Sequence, residues 1–120
     1  MNEATQSATQ SVLEHHLQAL RKGVDAVMED YSDDSVVITP DSTFYGLSEI
    51  EVFFTAFFQA LPDGIWDSFV MRRQEVAGDV AFILWEANPW FPMATDTFVI
   101  REGKIACQTF AALAAEGGNA

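Results

Sequence analysis

The sequence predicts a single α+β domain, with early helices packed on one face of a curved, mostly antiparallel sheet. Three observations carry this. Ile50, Phe53, Phe54, Phe57, Phe58 and Leu61 recur at helical spacing, and so wide an apolar stripe needs a broad, flat partner. From residue 66 to residue 110 the chain alternates apolar and polar residues between turn signals, the pattern of an antiparallel meander. At 120 residues it is long enough for one core and too short for two.

Taken in order, residues 1 to about 8 and 115–120 are small and polar and read as tails outside the domain. A helix is expected from Ser11, with Val12, Leu13, Leu17 and Leu20 on one face. His16 falls near the middle of that face and His15 well off it, exposed to solvent. Gly23 ends this helix and residues 24–31 form a short second one. Residues 35–39 (SVVIT) make a strand stopped by Pro40-Asp41, and residues 43–45 add a short pairing strand before Gly46. The Phe-rich third helix starts at Ser48 with a capping box to Glu51 and stops at Pro62-Asp63-Gly64. Strands follow at 66–77 and 80–88, joined by Gly78-Asp79. Residues 88–93 (NPWFPM) are a loop or a bulged strand edge, because proline cannot serve a central ladder.

Residues 94–110 (ATDTFVIREGKIACQTF) read as a closing hairpin around Arg101-Glu102-Gly103. A three-residue loop with Gly103 left-handed pairs Ile100 with Lys104 and sets Asp96 opposite Gln108; a two-residue Glu-Gly loop would pair Asp96 with Thr109. The first register is favoured, and it places Asp96, Phe98, Gln108 and Phe110 on one face, with Cys107 on the other. Asp96 then sits in a partly buried strand, where an ionised carboxylate is costly without partners.

Composition excludes several functions. A net charge of −12 argues against nucleic acid or an anionic membrane as partner. The single cysteine, Cys107, allows no internal disulfide, and with two adjacent histidines it gives no zinc pattern. No cofactor motif is present, and no run nears the roughly 20 apolar residues of a membrane span. The expectation is a cytoplasmic protein.

The phrases DYSDDSVVITPD (residues 30–41), Gly46-x3-Ile50-x2-Phe53-Phe54 and ATDTFVIREGKIACQTF together resemble the nuclear transport factor 2-like, or SnoaL-like, superfamily, which includes ketosteroid isomerase. The resemblance implies a cone-shaped α+β fold with an apolar pocket between sheet and helices, and frequent homodimers. Its members include isomerases, cyclases, dehydratases, hydrolases and non-catalytic binding domains. The ketosteroid isomerase pattern places its late-strand protonated aspartate on Asp96 and its helix-one tyrosine on His16, or on His15 by an ungapped count. Its first-strand carboxylate base falls on Thr39, which is no general base.

Two functional readings follow. Asp96 and His16 form an acid–base pair acting on a small hydrophobic or carbonyl-bearing ligand, or the fold is a non-catalytic ligand-binding or dimerisation module. In the plainer view Asp96 anchors its strand and His16 is a satisfied core histidine. Phe54 and Phe58 belong to the core stripe and contribute rings to a cavity. Trp85 lines that cavity, while Trp90 and Phe91 form either a lid or a dimer interface. Tyr31 either ties a turn or donates to a ligand.

Overall fold

The first helix begins well before the apolar stripe that identifies it. The computed structural model describes residues 3–115, and α1 runs Glu3–Ala19. Residues 3–8 are therefore helix, not tail. Thr9 explains the extension: it is buried, and its hydroxyl donates to the carbonyl of Gly78 at 2.7 Å, tying α1 to a turn of the sheet. Ala115, assigned to the other tail, donates its amide to the Trp90 carbonyl; residues 1–2 and 116–120 lie outside the described residues.

After α1 come α2 (Val24–Met28), β1 (Val36–Ile38), β2 (Thr43–Tyr45), α3 (Gly46–Ala60), α4 (Ile65–Ser68), β3 (Phe69–Ala77), β4 (Val80–Ala87), β5 (Phe91–Arg101) and β6 (Lys104–Leu113). The sheet order is β2-β1-β6-β5-β4-β3. Every pairing is antiparallel except β1 on β6, which runs parallel with Val37 opposite Gln108. This is the predicted α+β arrangement of helices on a curved sheet.

Two helices depart from expectation. α3 starts at Gly46, and the Ser48–Glu51 capping box does not form; instead the Glu49 carboxylate accepts the Tyr45 amide at 2.8 Å. Gly46 has φ +80°, and a Cβ there would meet the Asp33 carbonyl at 3.2 Å, so glycine is what lets the helix begin this early. α4 occupies the start of the strand expected from Trp66. Gly64, left-handed at φ 82°, turns the chain so that Ile65 is buried and Trp66 packs on Phe69, and the strand begins only at Phe69.

The closing hairpin follows neither expected register. Its loop is the two-residue Glu102-Gly103, both at positive φ (52° and 76°), as a type I′ turn requires. Arg101 pairs with Lys104 and Ile100 with Ile105, then the register shifts, so that Val99 pairs with Cys107, Phe98 with Gln108 and Asp96 with Phe110. The extra residue, Ala106, is a β-bulge. Shortening the loop and adding the bulge move the pairing by two residues in total, which preserves side-chain parity. Asp96, Phe98, Gln108 and Phe110 therefore still share the inner face. Residues 88–93 combine both options: a short loop, then β5 from Phe91, with an irregular register between Trp85 and Ala87.

Among the described residues no helix is long and apolar enough to cross a membrane. No group of three His, Cys, Asp or Glu side chains among them is placed to hold a metal.

Candidate functional site

Alternation along β4, β5 and β6 turns Trp85, Asp96, Phe98, Gln108 and Phe110 inward, towards α1 and α3. There they line a narrow cavity of about 40 Å³. Its remaining wall comes from His16, Leu17 and Leu20 of α1, Phe53, Phe54 and Phe57 of α3, and Leu61, Ile65, Trp66 and Phe69 beyond it. The wall is almost wholly apolar. Its polar exceptions are His16, Asp96, Gln108 and the indole N–H of Trp85.

Both oxygens of Asp96 are engaged. Trp85 Nε1 donates to Oδ2 and Gln108 Nε2 to Oδ1, each at 2.9 Å. Gln108 is fixed in turn by Tyr31, whose hydroxyl donates to Oε1. Although Gln108 lies diagonally from Asp96 in the ladder, its side chain spans the offset. Burial pushes the Asp96 carboxyl above its usual range, against the opposing pull of Trp85, Gln108 and nearby His16. Tyr31 is raised well above the usual phenol value, by burial first and then by Asp96 and Asp30, so it remains a hydrogen-bond donor.

His16 reaches the cavity from the other side. Its ring meets Phe98, Tyr31 and Phe54 edge-on at centroid distances of 5.2, 5.9 and 6.3 Å. Nδ1 lies 3.2 Å from Asp30 Oδ2. With an ionised carboxylate there, Nδ1 carries the proton and Nε2 offers its lone pair. Among the described residues Nε2 has no hydrogen-bond partner, and the His16 ring lines the cavity. Asp30 follows α2 and its carbonyl accepts the Ile105 amide at 2.7 Å, which locks it to β6.

Of the residues expected at the site, His16, Phe54, Trp85, Asp96, Phe98, Gln108 and Phe110 line the cavity. Tyr31 stands behind Gln108. Phe58 packs against Phe54 and Phe57 without reaching the cavity. Trp90 is half-buried outside the lining, whereas Phe91 packs edge-on against Trp85. Thr39 lies past the end of β1, where its hydroxyl accepts the amides of Asp41 and Ser42 in a turn. His15 is exposed, as expected, and its Nδ1 also lies 2.6 Å from Asp30 Oδ1. Asp30, which holds both histidines, is not marked by the sequence pattern; an acid ending a short helix carries no periodicity that singles it out.

No family model and no curated protein matches the sequence. Solved structures do match. A protein from Burkholderia xenovorans described as nuclear transport factor 2-like, of unknown function, superposes with a TM-score of 0.70 at 19% identity, over 92% of this chain and 85% of that one. The chain has the nuclear transport factor 2-like fold. A polyketide cyclase candidate from Sinorhizobium meliloti has the same nuclear transport factor 2-like architecture, with a TM-score of 0.67 at 23% identity over 83% of this chain and 93% of that chain. A ketosteroid isomerase candidate from Kribbella flavida gives 0.67 at 11% identity over 89% and 78%. At these identities the likeness is one of fold, and the nuclear transport factor 2-like scaffold hosts unrelated chemistries.

Proposed function

We propose that the chain is a small-molecule enzyme that moves a proton on a carbonyl-bearing, largely apolar substrate. One observation carries the reading: His16 and Asp96 meet in a single apolar cavity, each held in place from behind. His16, oriented by Asp30, offers Nε2 as the base that takes a proton from the carbon beside the carbonyl. Asp96 in its protonated form donates to the carbonyl oxygen, where negative charge develops; its raised pKa favours that form. The base comes from α1 because β1 brings no acid: the β1 residue paired with Gln108 is Val37.

The test needs no knowledge of the natural reaction. The protein is incubated in D₂O with cyclic ketones and enones, and exchange at the α-carbon is followed by NMR. His16→Gln should slow exchange by about 10²–10⁴-fold, and Asp96→Asn by about 10²–10³-fold, with the fold intact by circular dichroism. Exchange that persists in both variants would overturn the reading. Binding without exchange in the wild type would favour a ligand-binding module, a reading supported by the nearly all-apolar wall. Exposed Val70, Met93 and Leu113 on the sheet support the homodimer that the resemblance implies; sedimentation equilibrium tests it.

A further inference from the structure

The carboxylate behind His16 is shared. Asp30 is buried, with 7% of its side chain exposed, and it presents one oxygen to each of two imidazoles. Oδ2 faces Nδ1 of His16, which is 1% exposed, and Oδ1 faces Nδ1 of His15, which is 51% exposed. On the far side of His15, Nε2 lies 3.6 Å from Glu29 Oε1. One buried negative charge thus joins a histidine in the cavity to a histidine in water.

We propose that His15 is a positioning residue that tunes His16: the two imidazoles compete for Asp30, so protonation of the exposed ring holds the cavity ring neutral. The inference rests on the reading of His16 as the cavity base and concerns how that base is regulated. With both rings neutral, each donates Nδ1–H to its own carboxylate oxygen. A proton taken up at His15 Nε2 makes that ring a cation against Asp30 and Glu29, where solvent also supports it. A second cation on His16 would then face a carboxylate already neutralised, across a short separation and without solvent.

The charged surroundings favour protonation on the outer ring. Glu29 and Asp30 beyond α2 both face His15. Lys104 of β6 is directed to the Glu29 carbonyl at 2.6 Å. On the inner side, Asp96 of β5 interacts with His16, and the Tyr31 ring packs against it. Bulk water reaches His15, and Asp30 links that exposed ring to the enclosed His16.

The experiment compares wild type with His15→Asn, which keeps a side-chain N–H for Asp30 Oδ1 but cannot carry the charge. Imidazole ¹⁵N resonances of His16 are titrated in the substrate-free protein. Two inflections are expected in wild type, one of them coincident with titration of His15, and a single inflection in His15→Asn. One unchanged His16 curve in both proteins would overturn the coupling. The second readout is α-carbon exchange, where His15→Asn should lose several-fold more rate at about pH 5.5 than at about pH 8, because His16 then protonates without competition. Equal losses at the two pH values would also overturn it. Absence of exchange in wild type defeats the proposed reaction, while the resonance titration still decides whether His15 and His16 are coupled.

Discussion

At Asp96, burial and hydrogen bonding pull the carboxyl in opposite directions, and the net shift is upward. The native state therefore keeps its proton to higher pH than the unfolded chain, whose carboxyl titrates near about 4. Between that value and the raised native one, folded protein binds more protons than unfolded, so stability falls as pH rises through the window. Below the window both states are protonated and the effect vanishes; above it the full cost remains. Asp96→Asn removes this contribution. Urea denaturation across a pH series should give a stability difference, variant minus wild type, that grows from about pH 4 upward and then levels off. A difference independent of pH would contradict it. Asp96 was legible in the sequence because it shares the strand parity of Ala94, Phe98 and Ile100, the apolar positions that turn inward. Thr39 misled, since counting along a strand fails where the strand stops at Ile38. Asp30 was hidden, because its pairing is made by the packing of α1 on the end of α2.

At the scale of elements, a buried hydroxyl helps tie the start of α1 to the sheet, beside the Gly78 amide that donates to Gln6 Oε1. The first turns carry little apolar surface, and sequence pattern alone leaves them out of the domain. Thr9 Oγ1 bonds the carbonyl of Gly78 in the β3–β4 turn and also that of Thr5 one helical turn earlier. Thr9→Val preserves shape but removes the donor. It should cost about 1–3 kcal/mol, the range for leaving a buried polar group unpaired, and Thr9→Ser should recover most of that loss. Urea unfolding midpoints decide it; a Val variant as stable as wild type would show that helix propensity, not this bond, holds the segment. The strands were easier to read, since alternation and Gly-containing turns are local signals. The hairpin register was not, because Glu102 at φ 52° and the bulge at Ala106 are settled by the fit of β6 to its neighbours on both sides.

For the whole molecule, the decisive quantity is how tightly the helices close on the sheet. The Phe stripe announced that α3 would cover the sheet, yet nothing in its spacing states how much space is left beneath it. That space is about 40 Å³, room for a few waters and far below the roughly 300–1,000 Å³ of ordinary ligand pockets. A substrate of any size must displace rings. Phe57 is the ring best placed to yield: it is only half-buried, lines the cavity and meets Phe110 edge-on across it at 5.9 Å. Phe57→Ala trades packing for volume. The cost should fall at or below the roughly 3–5 kcal/mol of a fully buried Phe→Ala change, because the ring is partly exposed already. In exchange the variant should bind a bicyclic apolar probe such as 2-naphthol more tightly than wild type, with quenching of Trp85, whose indole sits on the cavity wall beside Asp96. Isothermal titration and fluorescence measure both. If Phe57→Ala loses stability without gaining affinity, the space beneath α3 is an ordinary packing gap, and the polar groups that face it hold the fold together instead of receiving a ligand.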